Sequence, residues 1–366
     1  MRVGLLFNHS SIVGGGELSF LDLAQALPAC GITPVVVVPE PGDVTDRIKR
    51  TRLETAFLAW PSLRGAGLLR WPGAVARAAL LFREKRLDAV HANGARCMLV
   101  AGPAARRVGL PCLWHVRVLE RDGRLDRIRA HFASIILANS RAVADTLSAT
   151  GIPTPTIRVL YNGFPLEEWA RVEPVDLATA FGLPAGPVIL AAGRLTPWKR
   201  FEDLLLACRL LSDAGQPMSC VLAGSAMPSE QAYESELKRL ASELGLGRLV
   251  FAGWRPDVPA LMKGASVFAL PSKAEPFGRV LVEAWACGAP LVATRAGGPA
   301  ELVHDGEDGL LVPPENPTAL AGAIRRILKE PGLAARLRAA GLTRAAAFNI
   351  RSHAEQVAEI YRTLTS

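Results

Sequence analysis

The sequence predicts an α/β protein made of two doubly wound domains, each built on a parallel sheet. Short apolar segments alternate with helical segments along nearly the whole chain, a pattern typical of parallel strands joined by right-handed crossovers. The chain has 366 residues, which is enough for two domains of ordinary size and too long for one compact core. A connector at 166–186, which contains prolines and acidic residues, separates two sets of alternating elements.

The first predicted domain spans residues 1–165. Residues 2–8 are nearly all apolar, as expected of a strand buried on both faces of a parallel sheet. Further strands are predicted at 34–38, 55–59, 87–91, 111–115, 134–138 and 156–160, with helices at about 43–51, 72–85, 95–108, 123–132 and 140–149. Gly14, Gly15 and Gly16 precede an earlier helix that runs to about Pro28. Such glycines form either a flexible turn or a backbone that a ligand approaches closely.

The second predicted domain spans residues 187–346, and a final segment at 347–366 contains a helix at about 350–364. Its strands are predicted near 187–192, 218–223, 249–252, 265–270, 290–293 and 309–312, and its helices near 200–213, 229–244, 256–263, 277–287, 298–304 and 316–328. Ligands of open α/β sheets lie at the carboxyl ends of the strands. The glycine loop, Arg194 and Glu275 each follow a predicted strand, so this edge is the expected site.

The composition indicates the class of protein to which this chain belongs. Half the residues are hydrophobic and 21% are charged, which is typical of a globular chain. No apolar run reaches the roughly 18–20 residues of a membrane span, and the first residues read as a strand without a signal peptide. Six scattered cysteines indicate reduced core residues, so we expect a cytoplasmic protein.

The net charge of +8 indicates that the protein binds a partner with negative charge. The sequence has no basic–aromatic stacking pattern, so we expect no nucleic acid. Anionic lipid or an acidic acceptor fits the charge better. The segment from Trp60 to Trp71 interleaves apolar residues with Arg64 and Arg70. It is either a loop that lies in a lipid headgroup layer or a buried loop between elements.

The stretch from Leu270 to Pro290 contains the main candidate site. A predicted strand is followed by Pro276, which prevents an earlier helix start, and a helical pattern then runs over 277–287. Glu275 precedes this helix and Glu283 lies inside it. The free N–H groups of a helix start attract anions, and a carboxylate accepts hydrogen bonds from vicinal hydroxyls. A nucleotide sugar fits both features, and a solvated acidic helix start is the alternative.

This stretch and three other segments of the sequence match the motifs of a known family. The segment EPFGRVLVEAWACGAPLVATRAGGPAELV resembles the E-x7-E region of retaining GT-B glycosyltransferases of glycosyltransferase family 4 (glycosyl transferases group 1). The resemblance extends to AAGRLTPWKRFEDLL, VGGGELSFLDLAQAL and VLYNGF, in the family's order. It implies two facing Rossmann-like domains with an inter-domain cleft, and a last helix that returns to the first domain.

The resemblance implies a donor site for a nucleotide sugar. Arg194 and Lys199 would hold the diphosphate, a role that suits a fixed guanidinium and a mobile ammonium. Glu275 would bind the transferred sugar and Glu283 the ribose. The remaining donor-site residues are Gly15, Gly16, Phe277, Gly278, Arg279, Val280 and Trp254, the last as a stacking partner for the base. A solvated cationic helix start at Lys199 and a core or surface tryptophan are the alternatives.

The family pattern also indicates a histidine at the end of a strand. His115 matches that position and would help to orient the reacting groups, with His91 as its rival. Arg200 stands where the family usually has glycine, and Val116 where it often has an acid. The sequence contains no D-x-D or H-E-x-x-H pattern, so we expect no metal cofactor.

The resulting expectation is a retaining glycosyltransferase, cytoplasmic and peripherally bound to an anionic membrane at its inner face. It would use a nucleotide-sugar donor and a lipid-linked or cell-envelope glycan acceptor. A nucleotide-sugar epimerase or hydrolase on the same fold, and a non-catalytic nucleotide-sugar-binding protein, are the alternatives.

Overall fold

The computed structural model describes residues 1–51, 53–61, 67–216 and 218–366, without the side chain of Leu68. These residues divide into two compact units. Unit 1 comprises Met1–Phe164 and Phe348–Ser366, and unit 2 comprises Pro165–Ala347. Both are α/β units built on parallel sheets, which confirms the predicted fold class.

Unit 1 contains a seven-stranded sheet among its described residues. Its strands are β1 (Arg2–Phe7), β2 (Thr33–Val38), β3 (Glu54–Phe57), β4 (Ala89–Asn93), β5 (Cys112–Val116), β6 (Ile135–Ala138) and β7 (Ile157–Val159). They are arranged in the order β3-β2-β1-β4-β5-β6-β7, and every described pair is parallel. The chain reverses its direction of sheet growth between β1 and β4.

Unit 2 repeats this plan with a six-stranded sheet in the part of the chain that is described. Its strands are β8 (Val188–Ala192), β9 (Ser219–Ala223), β10 (Leu249–Gly253), β11 (Val267–Leu270), β12 (Leu291–Thr294) and β13 (Leu310–Val312). The order is β10-β9-β8-β11-β12-β13, again parallel. Here the reversal falls between β8 and β11.

Helices connect the strands in both units. In chain order they are α1 (Gly15–Ala26), α2 (Asp43–Ile48), α3 (Gly67–Glu84), α4 (Ala95–Val108), α5 (Arg124–His131), α6 (Arg141–Ala149), α7 (Leu166–Ala170), α8 (Leu177–Ala180), α9 (Phe201–Asp213), α10 (Gln231–Glu243), α11 (Val258–Gly264), α12 (Arg279–Ala286), α13 (Gly298–Leu302), α14 (Pro317–Lys329), α15 (Leu333–Ala345) and α16 (Ile350–Thr365). No helix within the described ranges combines the length and apolarity that crossing a bilayer requires.

The last helix completes the core of unit 1. Val357, Ala358 and Tyr361 of α16 are fully buried and pack in one cluster with Leu5 and Phe7 of β1. A second cluster covers the opposite face of the same sheet. The first strand is therefore buried on both faces, which explains its continuous apolar sequence.

The main differences from the sequence-based expectation concern β4, the predicted connector and α15, and several other helices and strands begin or end a few residues from the predicted positions. The strand predicted at 87–91 is β4, Ala89–Asn93, because β1 pairs with it from Val3–Ala89 to Phe7–Asn93. The polar residues at its end therefore lie in the sheet. The predicted connector contains α7 and α8 and groups with unit 2, where Val175 N donates to Ala260 O at 3.1 Å. Helix α15 was not predicted.

Candidate functional site

Several predicted site residues follow the strands that flank the point where strand order reverses in each sheet. In open α/β sheets, ligands bind outside the carboxyl ends of the strands at this point. In unit 2, the segment after β8 carries Arg194 and Lys199, and the segment after β11 carries Glu275. In unit 1, the segment after β1 carries the three glycines. Arg194, Lys199, Glu275 and the glycine loop thus lie at the sheet edges where the sequence leads us to expect a site.

Helix α12 begins one turn after Glu275. The predicted helix over 277–287 is Arg279–Ala286 in the structure, because Gly278 adopts the left-handed conformation with φ 88°. Glycine adopts this conformation without a side-chain penalty. The N–H groups of Arg279 and Val280 lie in the first turn, at the electropositive end of the helix dipole. Phe277, which precedes Gly278, is buried.

Glu275 is a buried carboxylate with defined partners. Its Oε1 accepts a hydrogen bond from Lys199 Nζ at 2.5 Å and another from Ser272 Oγ at 2.7 Å. Its backbone oxygen accepts from Gly298 N at 2.7 Å. A Cβ atom at Gly297 would lie 2.2 Å from that oxygen, so glycine is required for the close approach of the two loops. This packing fixes the position of Glu275.

Lys199 is held at the end of a short 3-10 helix, Pro197–Lys199. Its side chain is 9% exposed, and Nζ lies 4.6 Å from the ring centroid of Trp198. Arg200 follows with φ 54° and ψ 42° and is the residue before α9. This left-handed conformation explains why the family usually has glycine here. Arg200 instead forms ion pairs with Glu202 and Asp203, both at 2.9 Å.

The other charged residues predicted for the donor site also have partners of opposite charge. Arg279 Nε donates to Glu283 Oε1 at 2.7 Å. Arg194 Nε lies 3.4 Å from Glu230 Oε2. The structure therefore brings Lys199 and Glu275 together, whereas Arg194 is paired with a residue that the sequence did not indicate.

Trp254 follows β10 and is 68% exposed. Its ring is therefore accessible for stacking on a planar group. This observation is compatible with both sequence-based alternatives, a surface tryptophan and a partner of the base.

In unit 1 the two rival histidines are both present in one buried cluster. His115 lies in β5, which continues to Val116, and His91 lies in the middle of β4. Their rings stack with centroids 5.3 Å apart, and His91 Nε2 lies 3.2 Å from His115 Nδ1. On its other side, His91 Nδ1 lies 2.6 Å from the hydroxyl of Tyr361.

Arg117 connects this cluster to the glycine loop. Its Nη2 lies 3.2 Å from His115 Nδ1, its Nε donates to Asn93 Oδ1 at 2.8 Å, and Nη1 donates to Asn162 Oδ1. Asn93 Nδ2 in turn donates to Gly16 O at 3.4 Å. The predicted residues Gly16 and His115 therefore belong to one hydrogen-bonded group, with Gly15 exposed at the start of α1.

The histidines of this cluster are neutral at pH 7. Burial lowers the pKa of His91 and of His115 well below its ordinary value, and the charge of Arg117 lowers both further. Burial and then Arg117 lower the pKa of His353, on α16, to about 3. Protonation of a buried imidazole is unfavourable because water no longer solvates the charge, and a neighbouring guanidinium repels it.

The sequence did not indicate several residues that contact the candidate sites around His115 in unit 1 and around Glu275 in unit 2. Asn93, Asn162 and Tyr361 in unit 1 and Ser272 and Gly298 in unit 2 were not predicted as site residues. Asn93 and Asn162 are polar residues within otherwise apolar segments, which is the signal that could have identified them. Tyr361 has no such signal, because an aromatic residue on an amphipathic helix reads as a core residue.

The structure describes only part of the segment from Trp60 to Trp71. Residues 62–66, which include Leu63 and Arg64, lie outside the described residues. Trp60 is buried and its Nε1 donates to Phe7 O at 2.8 Å, while Trp71 Nε1 donates to Leu99 O at 3.0 Å. Both indoles thus donate hydrogen bonds to backbone oxygens of unit 1, whereas Leu69 between them is 85% exposed.

Comparisons with known proteins agree with this architecture. The model of glycosyl transferases group 1 matches residues 182–344, and that of Glycosyltransferase Family 4 matches residues 13–168. The D-inositol 3-phosphate glycosyltransferase of Acidothermus cellulolyticus is 30% identical over 325 residues, covering 81% of this chain and 71% of the relative. The lipopolysaccharide core biosynthesis glycosyltransferase LpsE of Rhizobium meliloti is 33% identical over 203 residues, covering 55% and 56%.

A solved structure is similar over the whole chain. The crystal structure of Anabaena Alr3699/HepE in complex with UDP-glucose is 28% identical, has a TM-score of 0.87, and covers 99% of this chain and 100% of that one. Family models match both halves of the chain, and a relative is matched over most of its length. The chain therefore belongs to the glycosyl transferases group 1 and Glycosyltransferase Family 4, and it is a glycosyltransferase with the GT-B fold.

Proposed function

We propose that this enzyme is a retaining glycosyltransferase that moves a sugar from a nucleotide sugar to a lipid-linked or cell-envelope glycan acceptor. The observation that carries the donor assignment is the buried pair of Lys199 and Glu275 beside the start of α12. A cation, a row of backbone N–H groups and a carboxylate together match a diphosphate next to a hydroxylated sugar. The solved relative in complex with UDP-glucose supports a uridine diphosphate sugar as the first donor to try.

Lys199 is the proposed stabiliser of the leaving group. The bond between the anomeric carbon and the diphosphate oxygen breaks, and the acceptor oxygen bonds to that carbon. The hydroxyl proton of the acceptor leaves with the nucleoside diphosphate. Charge grows on the diphosphate during this step, and a preorganised ammonium lowers the barrier most where charge develops. Arg194 and the N–H groups of Arg279 and Val280 are proposed to share this role.

The two glutamates are proposed to recognise different parts of the donor. Glu275, before the helix, binds hydroxyls of the transferred sugar, and Glu283, inside the helix, binds the ribose diol. Support for this division comes from their different partners, since Glu275 is fixed by Lys199 and the loop at Gly298, whereas Glu283 is fixed by Arg279. His115 is proposed to orient the sugar, and Trp254 to stack on the base.

A panel of nucleotide sugars tests the donor assignment. The purified chain is incubated with each one, and release of the nucleoside diphosphate, epimerisation and thermal stabilisation are measured with and without candidate acceptors. Acceptor-dependent transfer is expected, and NMR of the product should show the donor's anomeric configuration. Epimerisation, or stabilisation without turnover, would instead support the enzyme or binding-protein alternative.

Metal independence is part of the proposal. Lys199 and the start of α12 supply positive charge where a divalent cation would otherwise offset the diphosphate. Activity is therefore expected to survive EDTA. A loss that Mn²⁺ or Mg²⁺ restores would contradict this assignment.

A cytoplasmic enzyme that binds the inner face of an anionic membrane is also proposed. Support comes from the net charge of +8 and from α3, which exposes Leu69 and Leu80 beside Arg70, Arg77 and Arg83. Such a face can enter a lipid headgroup layer. Sedimentation with anionic but not neutral vesicles is expected, and it should decrease in the variant with Leu69→Ser and Leu80→Ser. Equal sedimentation of both proteins would contradict the role of α3.

A further inference from the structure

We infer that Tyr361 and His91 are positioning residues that fix the tautomer of His115, so that His115 presents an Nε2–H donor. This inference deepens the proposed function, on which the place of His115 beside the transferred sugar rests. Three contacts within unit 1 lead to this inference.

The first contact determines the proton of His115. A guanidinium has N–H donors and no acceptor. Arg117 Nη2 lies 3.2 Å from His115 Nδ1, so Nδ1 must offer its lone pair. His115 is neutral, because burial and Arg117 lower its pKa. Its single proton therefore lies on Nε2.

The second and third contacts extend the same logic to the last helix. His91 Nε2 lies 3.2 Å from the same Nδ1 of His115, so His91 must carry its proton on Nε2 to donate there. His91 Nδ1 is then an acceptor, and the hydroxyl of Tyr361 lies 2.6 Å from it. Tyr361 is fully buried, and burial raises its pKa well above the ordinary value, so the hydroxyl keeps its proton. One assignment satisfies all three contacts.

The series of hydrogen bonds from Tyr361 through His91 ends at the Nε2–H group of His115. Among the residues that the structure describes, His115 Nε2 is buried and has no hydrogen-bond partner. A buried donor without a partner is costly unless a ligand supplies an acceptor. An oxygen of the sugar is such an acceptor. His115 is thereby a donor that orients an oxygen, and it cannot act as a base at Nε2.

Nitrogen NMR of the protein labelled with 15N-histidine tests the tautomers without any substrate. For both His91 and His115, Nδ1 is expected to be pyridine-like and Nε2 pyrrole-like. A pyrrole-like Nδ1 at His115 would overturn the inference. If the tautomers are as expected but no sugar is transferred, the proposed function fails and the positioning inference stands.

Tyr361→Phe tests the first hydrogen bond of this series, because it removes the hydroxyl and keeps the ring. It should produce a second tautomer of His91 and lower kcat about two- to tenfold, the scale of one neutral hydrogen bond, with KM for the nucleotide sugar nearly unchanged. Unchanged tautomers in this variant would overturn the role of Tyr361.

His91→Gln and His91→Leu form a matched pair of similar volume. The glutamine amide can donate to His115 Nδ1 and accept from Tyr361, whereas leucine can do neither. The glutamine variant should therefore keep the pyridine-like Nδ1 of His115 and retain more kcat than the leucine variant. Equal kcat and equal His115 spectra in two folded variants would contradict a positioning role, and melting curves check the folding.

Discussion

The two units hold their candidate site residues by opposite electrostatic means. In unit 2 the groups are charged and paired, as in Lys199 with Glu275 and Arg279 with Glu283. In unit 1 the buried cluster is made of neutral imidazoles, a hydroxyl and amides around one guanidinium, Arg117. A buried charge is tolerated when it is paired, whereas an imidazole without a carboxylate partner stays neutral. The comparison teaches that acid should affect unit 1 first and that loss of a charge should affect unit 2 most.

Acidification is expected to give the largest difference between the units. The pKa of His353 is lowered to about 3, and those of His91 and His115 are also lowered. The unfolded state therefore binds more protons below about pH 6.5, and stability falls as pH decreases from that value toward the folded pKa values. Each histidine contributes about 1.4 kcal/mol per pH unit in this range, or about 4 kcal/mol for three.

Urea unfolding followed by peptide-resolved hydrogen exchange measures this effect in each unit. As the pH is lowered, the free energy of unfolding of unit 1 should fall more steeply than that of unit 2. His353→Gln should reduce the slope of unit 1. Equal slopes for the two units would contradict the comparison.

Lys199→Ala is expected to give the next largest effect. It removes a charge stabiliser, which should lower kcat by about 100-fold or more. It also leaves the buried carboxylate of Glu275 without its cation, which should cost about 3 kcal/mol of stability in unit 2. Steady-state kinetics with saturating donor and urea unfolding measure the two losses.

The double variant Lys199→Ala with Glu275→Gln separates these two consequences. The neutral amide should recover much of the stability, since no buried charge remains unpaired, but it should not recover kcat. Wild-type kcat in the single variant would exclude Lys199 from the diphosphate site.

The two glutamates should differ in what they bind. Glu283→Ala should weaken both the donor and the free nucleoside diphosphate about tenfold to a hundredfold, because both carry the ribose. Glu275→Ala should leave the affinity for nucleoside diphosphate nearly intact and reduce transfer. Calorimetric titration of both variants decides between them. If Glu275→Ala loses that affinity as severely, the proposed division is wrong.

Arg200 provides the smallest and sharpest test of unit 2. Arg200→Ala keeps a Cβ in the left-handed conformation and loses the ion pairs, so it should destabilise unit 2 by about 1–2 kcal/mol. Arg200→Gly also loses the ion pairs but relieves the backbone, so it should cost less by about 1 kcal/mol. Thermal unfolding measures the difference. A glycine variant less stable than the alanine variant would show that backbone strain at this position is negligible.

The sequence predicted the fold and the carboxyl edges of the sheets because both follow from local patterns. Buried parallel strands are continuous apolar runs, and a Pro and a Gly fix the start of α12 near Glu275. The partners of these residues did not follow. Glu230 lies far from Arg194 along the chain, and Tyr361 lies 270 positions from His91. Such contacts are set by packing between distant elements, which no local pattern contains.

Local patterns also misplaced one strand boundary and gave no sign of one backbone conformation. The strand predicted at 87–91 runs from Ala89 to Asn93 because polar His91 and Asn93 lie within the sheet. At Arg200 the left-handed backbone is kept although the usual glycine is absent. Sites are where local propensity and the native structure are expected to disagree.

The position of α16 in unit 1 sets an order of events during synthesis. Unit 2 is one continuous segment, Pro165–Ala347, and all of its strands leave the ribosome before Phe348 does. Unit 1 begins earlier but lacks Val357, Ala358 and Tyr361 until α16 is made, so one face of β1 stays uncovered meanwhile. Domains generally fold as units while the chain is synthesised. The unit whose sequence starts first is thus the one that finishes folding last, and its half-built core is the surface that chaperones would meet.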